Sequence, residues 1–71
     1  MKDHIREILT DALPAVDFDA DFLFSELDSL GVLSILTILS KEYGIELGAE
    51  DISPRNFRNL DSLTSLVKSK L

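Results

Sequence analysis

Leu27-Asp28-Ser29-Leu30 opens the most apolar run of this 71-residue chain, Leu30 to Tyr43, and Gly44 closes it. Within that run Leu30, Leu33, Leu36 and Ile35, Leu39, Tyr43 recur at helical spacing, so the stretch reads as a helix. Asp28 or Ser29 stands at its start. Gly44 fits a left-handed stop, with Ile45 placed for the accompanying hydrophobic contact. Val32 and Ile38 widen the apolar face beyond what one core contact needs. The expected division turns Ile35, Leu36, Leu39 and Tyr43 inward and leaves Leu30, Leu33 and Thr37 facing a partner or cargo.

Before this helix, Ile5, Ile8, Leu9, Ala12 and Leu13 form a stripe at i, i+3, i+4, i+7 and i+8. The stripe predicts a core-facing helix capped by Asp3 and running to about Leu13, where Pro14 stops it. His4, the only histidine, has no second histidine or cysteine to pair with and reads as a surface residue. Residues 14–27 form a long connection. Its alternating Asp17, Asp19 and Asp21 suggest a calcium loop, but the required glycine and the closing glutamate are missing. Phe18, Phe22, Leu23 and Phe24 are expected to pin this connection to the core.

After Gly44 comes a short extended linker to Gly48. Ser53-Pro54 then has the form of an N-cap with proline at the first helical position, predicting one or two turns through Phe57. Asn59 or Asp61 caps a last helix carrying Leu60, Leu63, Leu66 and Val67, with Lys68 and Lys70 complementing the dipole in its last turn. No strand-like alternation occurs. The expected fold is all-α, a four-helix bundle over residues 1–71: three longer helices, one short helix, and a long loop between the first two.

Composition narrows the function. The chain has no cysteine, so disulfides and thiolate chemistry are excluded. Mean hydropathy is only slightly positive and no apolar stretch reaches the length of a membrane span. Charge begins at the second residue, unlike a signal peptide, so a cytoplasmic protein is expected. Net charge is −6, and residues 1–28 hold eight acids against two bases. That balance repels nucleic acid and anionic membranes and suits partners with basic surfaces. No serine–histidine–acid set, glycine-rich phosphate loop or metal-ligand cluster is present, so the chain is not expected to be an enzyme.

Ser29 remains as the chemically distinctive residue. A hydroxyl at the first turn of a helix lies beside unpaired N–H groups and the positive end of the dipole, where an attached anion is favoured. This placement points to Ser29 as a covalent attachment point for a phosphate-linked group.

Leu27-Asp28-Ser29-Leu30, followed by an apolar helix ending Glu42-Tyr43-Gly44-Ile45-Glu46-Leu47, resembles the core signature of the acyl and peptidyl carrier proteins. In that family an Asp-Ser-Leu triplet opens the second helix, and an aromatic-Gly-Ile segment closes it. Ile52-Ser53-Pro54-Arg55-Asn56-Phe57 is similar to the x-Pro-Glu-Asn-Phe segment of carriers serving amino-acid-activating enzymes, with Arg55 in place of glutamate. Gly31 after the triplet resembles D-alanyl carriers. Ser34, Ser40 and Lys41 stand where fatty-acid synthase carriers usually hold acids, which tilts the reading toward a stand-alone carrier of an amino acid or a specialised acyl group.

The resemblance implies that a phosphopantetheinyl transferase, using coenzyme A and magnesium, attaches 4′-phosphopantetheine to Ser29. It implies that Asp28 orients the serine, that Leu30 contacts the transferase, and that Leu33, Thr37 and Ile52 meet partners. Those partners are an acyl- or aminoacyl-loading ligase and a downstream transferase or synthase, met by a monomer. Asp61-Ser62-Leu63 repeats the triplet without a long helix or Gly-Ile segment behind it, so Asp61 reads as an ordinary cap and Ser62 as unmodified. The competing reading is an unmodified helical interaction domain that binds a partner through the Leu30/Leu33 face.

Overall fold

A computed structural model describes residues Met1–Leu71. It contains three α-helices and no strand: α1 Lys2–Ala12, α2 Ser29–Tyr43 and α3 Leu60–Lys70. Two short 3-10 turns, Leu23–Glu26 and Ala49–Asp51, lie in the connections. The helices enclose one core. Ile5 and Leu9 come from α1, Val32, Ile35, Leu36 and Leu39 from α2, and Leu60, Leu63, Leu66 and Val67 from α3. Phe18, Leu23 and Phe57 reach the same core from the connections. Burying such side chains contributes about 1.5–3 kcal/mol each, offset by the entropy of ordering the chain. No helix is long and apolar enough to cross a membrane.

The two ends of α2 follow from chemistry at single residues. Asp28 is extended, and its Oδ1 accepts the Gly31 amide at 2.7 Å, satisfying one of the first-turn donors. At the other end Gly44 takes φ +62°, and the Ile45 amide returns to the Ser40 carbonyl at 3.1 Å. The expected inward set holds for Ile35, Leu36 and Leu39, with Tyr43 half-buried.

Five expectations are corrected. The short helix at 53–57 is a single hydrogen-bonded turn, Phe57 N–H to Ser53 C=O, so the bundle has three helices. Beyond that turn the Leu23 amide bonds the Arg58 carbonyl at 2.6 Å, and Asn59 already caps α3. Asn59, and not Asp61, is the α3 cap, its Oδ1 accepting the Ser62 amide at 2.9 Å. Asp61 instead pairs with Lys2 across to α1 at 2.9 Å. Asp3 caps nothing, because α1 begins at Lys2 and Asp3 lies inside its first turn. Ala12 is exposed at the end of the α1 stripe, and Phe22 is 64 % exposed. The Phe22 ring lies under the Arg58 guanidinium, 5.4 Å from it, instead of in the core.

Polar contacts tie the connections down. Asp51 is buried, its Oδ2 accepting the Gly48 amide at 3.0 Å and its Oδ1 meeting Lys70 Nζ at 3.2 Å. The Gly48 hydrogen bond, with the Lys70 ammonium adding to it, holds the Asp51 carboxyl below its ordinary 3.8. The Asn56 side chain donates to the Asp51 carbonyl at 3.0 Å, which sets the course of Ile52 between them. His4 lies at the surface, as its lone occurrence suggests, but Nε2 is 2.6 Å from Glu42 Oε2 and its ring stands edge-on to Tyr43.

Candidate functional site

Ser29 is the first residue of α2 and is exposed. Of the first-turn donors, the Gly31 amide is capped by Asp28 and the Val32 amide bonds the Asp28 carbonyl at 3.0 Å. The amides of Ser29 and Leu30 have no protein acceptor, and the Ser29 hydroxyl has no protein partner either. Two free N–H groups, a free hydroxyl and the positive end of a 15-residue helix therefore coincide at one point.

Gly31 shapes this turn by what it lacks. A Cβ there would stand 3.3 Å from both Asp28 Oδ1 and Leu27 Cδ2, tighter than ordinary contact. Its absence lets the capping carboxylate and the Leu27 side chain close over the start of α2.

Beside Ser29 runs an apolar groove of about 360 Å³ lined by Phe24, Leu27, Asp28, Ser29, Val32, Leu33 and Ile52. Phe24 is held by an edge-on contact with the buried Phe57. A second groove, between α1 and the other flank of α2, is lined by Ala12, Leu13, Leu30, Leu33, Ser34, Thr37 and Ile38. Leu30 and Leu33, 74 % and 54 % exposed, form the ridge beside these grooves. Thus the structure brings Ser29, Asp28, Leu33 and Ile52 to one groove. Leu30 and Thr37 lie on the other, with Leu33 common to both.

Phe24, Leu27 and Val32 belong to the Ser29 groove although sequence reasoning gave them no part in it. Val32 follows Ser29 by three residues, so helical spacing was the available signal. Phe24 carried no such signal, because the 3-10 turn that aims it is fixed by the long-range Leu23–Arg58 bond. The second Asp-Ser-Leu is different in kind. The Ser62 hydroxyl donates to Asn59 Oδ1 at 3.1 Å and its amide is capped by the same oxygen, so neither group is free.

The family model for the phosphopantetheine attachment site matches residues 1–67, and the chain belongs to that family. Its members carry a covalent 4′-phosphopantetheine prosthetic group. Neither the curated proteins nor the solved structures gave a match to the chain. The residues around Ser29 fit the group: the unpaired amides suit its phosphate, the exposed hydroxyl suits an ester bond, and the apolar groove suits the start of its arm.

Proposed function

We propose that residues 1–71 form a single, non-catalytic carrier domain in which Ser29 bears the 4′-phosphopantetheine, delivered from coenzyme A by a phosphopantetheinyl transferase with magnesium. The observation that carries this reading is the free hydroxyl of Ser29 beside two unpaired amides at the head of α2, within the family match. When bound, the group supplies a terminal thiol for thioester linkage of an acyl or aminoacyl cargo. The chain's own residues present and hold it. Asp28 fixes the first turn through Gly31 and stands beside the serine to help place the metal during transfer. The amides of Ser29 and Leu30 would hold the phosphate, Leu30 contacts the transferase, and Leu33, Thr37 and Ile52 meet the loading ligase and the downstream transferase or synthase. The tether raises the effective concentration of cargo at each partner. The carrier acts as a monomer in the cytoplasm, in a biosynthetic pathway. No acid projects from the outward face of α2 between Ser29 and Ser40, which favours an amino acid or a specialised acyl cargo over a fatty acid.

The test is an incubation with coenzyme A, magnesium and a broad-range phosphopantetheinyl transferase, followed by intact-protein mass spectrometry. One phosphopantetheinyl group is expected on the wild-type chain and on Ser62→Ala, and none on Ser29→Ala. A wild-type chain that gains no mass is an unmodified interaction domain, and the proposal fails.

A further inference from the structure

Ile52 is the one residue of the Ser29 groove that arrives from the connection between α2 and α3. Its backbone is extended, and its amide bonds the Ala49 carbonyl at 3.1 Å. Around it the chain is bonded mostly to itself. The Asp51 amide bonds the Gly48 carbonyl at 2.9 Å, and the Asn56 amide donates to Ser53 Oγ at 3.0 Å. The contacts of Asp51 with Gly48 and Asn56 are equally local. A single polar tie joins residues 48–57 to another element: Asp51 Oδ1 to Lys70 Nζ at 3.2 Å, in the last turn of α3. This ion pair is the most shielded in the chain. Its side chains are 10 % and 34 % exposed, against 72 % and 43 % for Asp61 and Lys2.

A buried carboxylate deprived of its cation is strongly disfavoured where it stands. Without the Lys70 ammonium, Asp51 is driven to turn toward water, and Ile52, the next residue, turns with it. Val32 and Leu33 need no such support, because α2 itself fixes them. We infer that Lys70 and Asp51 are positioning residues of the attachment site: from the end of α3 their ion pair braces Ile52 as the wall against which the arm on Ser29 begins. The chemistry of the arm suits that wall, since the carbons following its phosphate carry two geminal methyl groups. The inference rests on the carrier reading and deepens it, giving two residues outside the groove a part in shaping it.

The experiment loads the full chain with coenzyme A, magnesium and a broad-range transferase, and follows the isoleucine methyl groups and the arm by nuclear magnetic resonance. It compares wild type with Lys70→Met, Lys70→Arg and Lys2→Met. Loaded wild type should show cross-peaks between the geminal methyls of the arm and the Ile52 methyls. Lys70→Met should lose them, and its Ile52 methyl resonances should already be displaced before loading. Lys70→Arg keeps a cation within reach of Asp51 and should retain the contacts. Lys2→Met breaks the exposed pair with Asp61 at the other end of α3 and should change nothing at Ile52. The replaced lysines lie at the surface, so the variants fold, and circular dichroism checks it. The cross-peaks report geometry within the folded molecule, so a purely stabilising ion pair predicts wild-type contacts in Lys70→Met with only a lower urea midpoint. That result overturns the inference, as does loaded wild type with no contact between arm and Ile52. In both cases the mass of the arm has been added to Ser29 and the carrier reading stands. A wild-type chain that gains no mass refutes the carrier reading itself.

Discussion

Asp28 holds α2 by a bond whose contribution can be separated from its charge. Its Oδ1 accepts the Gly31 amide at 2.7 Å, at the third position of the helix. Asp28→Ala removes the acceptor and leaves that amide, in a turn partly covered by Leu27, without a protein partner. Loss of such a cap costs typically about 1 kcal/mol, within a range of about 0.5–2. For a domain of this size about 1 kcal/mol lowers Tm by roughly 4–8 °C. Asp28→Asn keeps an oxygen in the same place, and asparagine caps as well as aspartate. Only the interaction of the charge with the dipole is lost, about 0.3–1 kcal/mol at an exposed site. Thermal unfolding by circular dichroism should therefore rank wild type above Asp28→Asn and both above Asp28→Ala. Mass spectrometry of the transferase reaction then has a folded variant with the geometry but not the charge. Asp28→Asn should be well folded and slow to be modified, because the proposed placing of the metal needs the carboxylate. If Asp28→Asn is as unstable as Asp28→Ala, the capping argument is wrong.

Three further outcomes follow from the fold. Gly44→Ala meets no atom within 4 Å, so its cost is the left-handed backbone alone, about 1–2 kcal/mol, readable as a lower urea midpoint. Leu9→Ala empties a site that is 0 % exposed. Its cost of about 2–5 kcal/mol rivals the roughly 3–5 kcal/mol that a core of this size supplies, so the variant should be largely unfolded at room temperature. The Asp51 carboxyl titrates below 3.8 when folded, so its stabilising effect is complete above that pH and is lost as pH falls through the folded value. Asp51→Asn should therefore lie below wild type in Tm at pH 7, with the gap narrowing below about pH 4; a gap independent of pH would refute the assignment.

What the sequence could and could not convey depends on the range of the interactions involved. Both ends of α2 were readable because each is set by one residue acting on its neighbours: Asp28 on Gly31, Gly44 on the Ser40 carbonyl. The three helices and most of their buried faces follow from spacing alone. The 53–57 segment misled because Ser53-Pro54 does start a turn, and the Ser53 hydroxyl even caps the Asn56 amide at 3.0 Å. The chain just after it is held by a remote contact, since Leu23, thirty-five residues earlier, bonds the Arg58 carbonyl. Phe22 leaves the core for a reason of the same range: the turn that buries Leu23 and aims Phe24 sends its neighbour outward under Arg58. Residue type alone marks Asp3 and Asp61 as caps, but cap choice depends on where the helix starts. At both sites the acid falls inside the first turn. Around Ser29, the motif located the hydroxyl and its helix. The groove beside it needed Phe24 and Ile52, which arrive from two separate connections.

The leucine ridge also carries a colloidal consequence. Two large apolar side chains standing in water are a standing invitation to self-association, and the surplus of acids on the first 28 residues supplies the mutual repulsion that opposes it. The repulsion disappears near the isoelectric point, about 4.4, while the ridge is unchanged. Light scattering should show the chain clustering as pH approaches that value. A carrier whose arm and cargo shield the ridge should cluster less than its unmodified form.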